Sequence, residues 1–297
     1  PFSPEVLLNQ VSRYMPVKAA EGNPIVADEK SLALLALAQR VAASDASVMI
    51  MGPSGSGKSS LINAGIIPNL TIGSGYNGVH VVAYSSLDFA DVAKSQLFIE
   101  LAGAMLDWEV NDLPVFDGDS ADSLSHRLIT EPQVIVNQCK QAIKANRQLH
   151  THFALFIDRL EVLLSSPLFT HEQRSAFVGI LEQLANSGCI IVLSACRNEF
   201  YPLLVGYPSL MTGKGQGAHF DLSPPTRSEL LQMIRLPAVA ANLTWTSDPD
   251  TATPLDEILC AEAASNPDAL PMLQYMLQAL YLKRSKDNQL LFSVYQE

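Results

Sequence analysis

Nine consecutive residues, Gly52-Pro53-Ser54-Gly55-Ser56-Gly57-Lys58-Ser59-Ser60, restrict what this chain can fold into more than any other stretch. They fit the pattern G-x-x-x-x-G-K-[ST], and their neighbours give the pattern a mechanical context. Ala46–Met51 is short and apolar and reads as a buried strand, while Ser59–Gly65 can run as a helix. A strand feeding a glycine turn and then a helix leaves several backbone N–H groups pointing into one concavity at a positive helix end. Phosphates bind in such a cradle. All nine residues are therefore predicted to contact a nucleotide, with Lys58 reaching the β- and γ-phosphates and the Ser59 hydroxyl ligating Mg²⁺.

Four further segments read as buried strands: Val79–Tyr84, Phe153–Asp158, Cys189–Ala195 and a weaker one at Ala218–Leu222. Between them lie helical stretches at Ala90–Leu106, Ser123–Ile129, Gln133–Asn146 and Glu172–Asn186. Another helix, Ser31–Ala43, precedes the first strand. The alternation predicts an α/β fold, a parallel sheet with helices on both faces. Residues 108–122, rich in Asp and Pro, read as an exposed loop.

After Leu222 the strand signals stop. Thr226 with Glu229 forms a capping box opening a helix to about Arg235, as Thr170 with Gln173 does for the helix ending before Gly188. Pro254–Ala264 and Pro267–Lys283 supply two more helices. The predicted organisation is an arm at 1–22, a nucleotide-binding α/β core at 23–222, an all-helical subdomain at 223–285, and a further element from 286. Ser293 and Gln296 read as the cap of a helix that continues beyond Glu297, and the chain opens on Pro1. Further segments are expected at both ends.

Phe153–Asp158 places a carboxylate at the end of a strand. Asp158 is either the group that holds Mg²⁺ through water opposite Ser59 or a cap of the following helix. Glu161 is either the base that orients an attacking water or a solvated residue paired with Arg159. Arg197, delivered to the same edge of the sheet by the next strand, either senses the γ-phosphate or pairs with Glu199 on the surface.

A formal net charge of −11 argues against a nucleic-acid or anionic-membrane surface on this chain. No apolar run of eighteen residues occurs, so no membrane segment is predicted. Cys139, Cys189, Cys196 and Cys260 lack metal-ligand spacing and read as reduced core thiols, in keeping with the cytoplasm.

Five ordered motifs then resemble one known family: "GPSGSGKSSLINAGIIP" at 52–68, "FIDRLEVLL" at 156–164, "IVLSACRNEFYPLL" at 191–204, "FDLSPPTRSELLQMIRLPA" at 220–238 and "NPDALPMLQYMLQALYLKR" at 266–284. They are similar to the novel STAND NTPases, bacterial relatives of the apoptotic and plant-immunity ATPase switches, over about 48–297. The resemblance implies an ATP- and ADP-binding core, a helical subdomain, a winged helix beginning near residue 286, self-association, and protein partners bound through regions outside this chain. It assigns the Mg²⁺ aspartate to Asp158, an acidic catalytic residue to Glu161, a phosphate-sensing arginine to Arg197 and a nucleotide contact to Pro271. Arg159 stands where the family usually has Gln, and Val162 where it has a second Glu; both departures imply slow hydrolysis. Asp268-Ala269 replace a frequent glycine, and the upstream "GRE" motif is missing.

Residues 23–58 resemble instead the AAA+ enhancer-binding activators of alternative-sigma-factor RNA polymerase, although their GAFTGA loop has no counterpart here. The two resemblances meet at the phosphate loop, as in a fusion. A transcription-activator ATPase is thus an alternative expectation. "GKSSLIN" also resembles ribosome-assembly GTPases, but the N-K-x-D motif for guanine is absent; so is the LSGGQ signature of transport ATPases. A non-hydrolysing nucleotide-binding scaffold is the remaining alternative.

Overall fold

Side chains of the central strands alternate between two apolar cores, which places helices on both faces of the sheet. The computed structural model describes residues 47–71, 75, 79–90, 92–93, 96–145, 151–212, 218–266 and 270–296. The predicted arm at 1–22 and helix at Ser31–Ala43 lie outside them. Strands β1 (Val48–Gly52), β2 (His80–Asp88), β3 (Thr151–Asp158), β4 (Ile190–Arg197) and β5 (His219–Asp221) form one parallel sheet in the order β2-β3-β4-β1-β5. Met49, Met51, Phe153, Leu155, Ile157 and Val192 enter one core, with Leu97, Leu101, Leu124, Ile135, Phe177 and Leu181 from the covering helices. Val48, Ile50, Ala154, Phe156, Ile191 and Leu193 enter the other, against Ile62, Ile66 and Leu70.

The helix after the phosphate loop is not uniform. It starts as α over Lys58–Ser60, widens to a π-helix over Leu61–Ile66, and returns to α over Ile67–Thr71. The Ile67 N–H accordingly donates to the Ile62 carbonyl, five residues back. Pro68 explains the widening, because in an α-helix its ring would crowd the Ala64 carbonyl and it has no N–H to offer.

Two expectations are corrected in this unit. The second strand runs on to Asp88, four residues past its predicted end, and its polar tail is tied in where the Trp108 indole N–H donates to Ser85 Oγ at 2.9 Å. Residues 108–122 are not simply an exposed loop. Glu109–Val110 pairs antiparallel with Leu113–Pro114, and Asn111 and Asp112, both at positive φ, make the tight two-residue turn between them. Trp108, Val110 and Phe116 are buried, and Trp108 stacks on Phe153 at 4.7 Å, so the acidic residues form only the outer side of this segment. The helix expected over Ala90–Leu106 begins at Leu97.

Among the described residues the chain divides into two compact units, one of 47–53 and 57–222, the other of 223–296 together with Ser54–Ser56. In the second, helices Arg227–Ala240, Leu255–Ser265 and Leu270–Leu282 bury Leu230, Ile234, Leu259, Leu273 and Leu280 together. The Thr226–Glu229 capping box is present, as is Thr170–Gln173 in the other unit. The first of these helices passes Pro237 and stops five residues beyond Arg235. It closes on Asn242 at positive φ, with Leu243 N–H donating to the Ala238 carbonyl and Asn242 N–H to Val239. Thr244–Trp245 pairs in parallel with Gln289–Leu290, and a short helix, Phe292–Tyr295, follows. Ser293 lies inside that helix and does not cap it. Thr246 Oγ1 takes the Phe292 N–H at 2.7 Å, so the cap comes from a distant segment.

Candidate phosphate-binding edge of the sheet

Register brings the predicted residues to one edge. Gly52, the last residue of β1, lies beside Arg197, the last residue of β4, and Ile157 lies beside Ser194, so β3 delivers Asp158 to the same carboxyl ends. In open parallel sheets this edge is where ligands bind.

The loop leaving β1 has the backbone its glycines allow. Gly55 and Gly57 sit at φ 70° and 86°, conformations an L residue enters only at roughly 1–2 kcal/mol. No atom lies within 4 Å of where a Cβ on Gly57 would project, so that glycine is required by conformation and not by crowding. Mixed right- and left-handed residues in succession turn N–H groups into a common concavity suited to anions. The Ser56 hydroxyl is buried with no hydrogen-bond partner among the described residues. Lys58 Nζ reaches back to the carbonyls of Gly52 at 2.9 Å and Pro53 at 2.8 Å. Burial holds its ammonium below the usual lysine range, against the pull of Glu161 and Asp158 and with a smaller push from Arg197. Ser59 is partly exposed and Ser60 exposed on the first helical turn. A cation at the mouth of the loop, an unpartnered hydroxyl and a hydroxyl at position 59 fit a Mg²⁺-nucleotide: Lys58 would bind its phosphates, and Ser59 with Asp158 would hold the metal.

Asp158 does not cap the next helix. Its Oδ1 accepts the N–H of Arg159 at 2.9 Å, and helix Leu160–Ser165 begins after Arg159 with no side-chain cap. Glu161, on that helix, is buried and far from the solvated residue of the alternative reading. Its Oε2 accepts the backbone N–H of Arg197 at 3.2 Å, and its Oε1 lies 3.3 Å from the Arg197 Nε. Arg197 also meets Glu199 at 3.1 Å, so the surface pairing exists beside the buried one. Cys196 completes this cluster; burial first, then the Glu161 charge, pushes its thiol up to about 12.

Asp88 escaped the sequence reading. It pairs in register with Asp158 on the neighbouring strand, its Oδ1 accepts the Ala90 N–H at 3.0 Å, and its Oδ2 holds the Arg159 guanidinium. Arg159 thus pairs with Asp88, and it does so from a left-handed backbone at φ 53°. The signal in the sequence was the acidic end of β2, masked by the serines before it. Pro271, near the start of helix Leu270–Leu282, is exposed in the second unit. Among the described residues no cluster of three or more His, Cys, Asp or Glu could hold a metal alone, and the four cysteines are free and buried. No helix of the described residues is long and apolar enough to cross a membrane.

Comparison with known proteins gives the fold and the family. A family profile described as Novel STAND NTPase 1 matches residues 31–297, a span that begins ahead of the phosphate loop and takes in most of the segment resembling AAA+ activators. Among solved structures, the chain is similar to the Aeropyrum pernix Orc1 protein in complex with DNA, at 17% identity and a TM-score of 0.56, covering 92% of this chain and 65% of that one. It is also similar to the Aeropyrum pernix Orc2 protein in ADPNP–ADP complexes, at 12% identity and a TM-score of 0.56, covering 96% and 70%. This chain therefore spans 65% of the length of the Orc1 protein. At these identities the likeness is one of fold, that of a P-loop NTPase. No curated protein matches the sequence.

Proposed function

This chain belongs to the novel STAND NTPase 1 family, and from that premise we propose that it is a nucleotide-operated switch. It binds ADP or ATP with Mg²⁺ through Gly52–Ser60 and Asp158, hydrolyses ATP slowly, and changes its self-association with the nucleotide held. The observation that carries this reading is the delivery of Gly52, Asp158 and Arg197 to the carboxyl ends of three strands of one sheet, with Lys58 on the Gly52 carbonyl and Glu161 on Arg197.

Slow hydrolysis follows from how Glu161 is held. A general base must aim a free lone pair at water, and the contacts of both Glu161 oxygens to Arg197 restrict which of its remaining lone pairs can do so. Arg197 therefore acts first by positioning Glu161. Pro271 is proposed as a further nucleotide contact, and exchange of ADP for ATP is proposed to change the self-association of the chain. Light scattering of the purified chain in Mg²⁺-ADP and in a non-hydrolysable Mg²⁺-ATP analogue tests this. A mass that rises with the triphosphate supports the switch; an identical mass in both states, with both nucleotides bound, contradicts it.

The same occupied Glu161 favours a second reading, a nucleotide-binding scaffold without turnover. Bound nucleotide with no phosphate release over hours would select it.

A further inference from the structure

Two arginines reach the carboxyl edge of the sheet, and they are held very differently. Arg197 contacts a carboxylate whose side chain is 6% exposed, and it engages that carboxylate through its backbone N–H as well as its guanidinium. Breaking a pair with one buried member strands a charge away from water, so such a pair resists exchange. Arg159 contacts Asp88 across a pair whose side chains are 47% and 34% exposed. Pairs this open to solvent contribute little and give way to a better partner.

A terminal phosphate is such a partner. It offers several charged oxygens to the planar guanidinium fork, and phosphate pairing is stronger than a single carboxylate contact at the surface. Arg159 is also the residue directly after Asp158, and its own N–H fixes the Asp158 carboxylate. Its left-handed backbone turns the chain sharply at that point, at the carboxyl end of β3, which one strand separates from β1 and its phosphate loop. Asp88, in register with Asp158, adds a negative charge that would oppose a polyphosphate unless a cation offsets it.

We propose that Arg159 is the residue that distinguishes a nucleoside triphosphate from a diphosphate, with Asp88 as the positioning residue that stores its guanidinium until the terminal phosphate draws it away. The inference deepens the switch reading and rests on it. Arg197 by contrast stays with Glu161 in both nucleotide states.

Calorimetric titration of Mg²⁺-ADP and a non-hydrolysable Mg²⁺-ATP analogue into the chain and its variants tests this. Arg159→Asn is the informative change, because asparagine tolerates the left-handed backbone while removing the guanidinium. Triphosphate binding is expected to weaken about tenfold or more, as loss of a charge-assisted contact implies, with diphosphate binding within about twofold. Retained ADP binding also shows that the variant folds. Asp88→Asn is expected to tighten triphosphate binding by about twofold to fivefold, since the stored pair no longer competes. An unchanged triphosphate-to-diphosphate ratio in Arg159→Asn overturns the proposal, as does a selective loss of triphosphate binding in Arg197→Gln alone. If the unaltered chain binds neither nucleotide, the switch reading falls with it; if it binds both and only the ratio fails to move, this inference alone falls.

Discussion

The inner and outer halves of the sheet's carboxyl edge are built from the same chemistry, an arginine against a carboxylate, yet they behave as different materials. In the inner half, beside β1 and β4, Glu161 is buried and both its oxygens contact Arg197. In the outer half, beside β2 and β3, Asp88 and Arg159 meet in partial solvent. The difference comes from where each carboxylate is rooted. Glu161 stands on a helix whose Leu160, Leu163 and Leu164 sink into the core, so its side chain is drawn under the sheet edge. Among the described residues, Asp88 ends a strand with one strand neighbour in the sheet. The lesson is that burial of one partner, and not the count of ion pairs, decides which contact is structural and which is exchangeable.

The largest effect that could break this comparison is on stability. Glu161→Ala leaves the Arg197 backbone N–H without its acceptor, while the guanidinium keeps Glu199, and is expected to cost about 2 kcal/mol in thermal or denaturant unfolding. Asp88→Ala should cost less than about 1 kcal/mol. Equal losses would erase the distinction.

Double-mutant cycles sharpen it. Coupling between Glu161 and Arg197 should exceed that between Asp88 and Arg159, with the outer term at about 0.5 kcal/mol or below. Raising salt to 1 M, where the screening length is about 3 Å, should abolish the outer coupling and leave most of the inner one. An outer coupling that survives high salt would mean that Arg159 is locked as firmly as Arg197.

The smallest effect concerns Cys196, a buried thiol of the inner half. Its raised folded-state value means the folded chain keeps a proton that the unfolded chain releases near 9.0. That contribution to stability is fully present below pH 9 and is lost as pH rises toward about 12. Iodoacetamide at pH 8 should accordingly leave Cys196 unlabelled in the folded chain and label it on unfolding. Labelling at the rate of an exposed thiol would show that the inner half is open.

Much of this was legible in the residues. The glycine pattern at 52–58, the apolar strands and both capping boxes each follow a local rule, and local rules can be read from a sequence. The partners of Glu161, Arg159 and Asp88 could not be. Glu161 is two residues from Arg159 but pairs with Arg197, thirty-six residues away, because sheet register and not chain distance sets the neighbours. Asp88 was hidden by Ser85 and Ser86, whose polarity ends a strand on paper while Trp108 and the β3 ladder continue it in three dimensions. Ser293 failed as a cap for the same reason, since Thr246 supplies the bond from elsewhere. The helix opened by Thr226 runs past Arg235 and Pro237 to Ala240, and its last turn is closed by its own terminal bonds.

The most direct test is to titrate Mg²⁺-ADP into the purified chain and into Lys58→Ala by calorimetry, after removing any nucleotide carried through purification. The account predicts saturable one-to-one binding that the variant weakens by about a hundredfold or more, since Lys58 supplies the charge-assisted contact to the phosphates and its loss leaves them facing the Gly52 and Pro53 carbonyls. Equal binding by both proteins, or binding by neither, would contradict it.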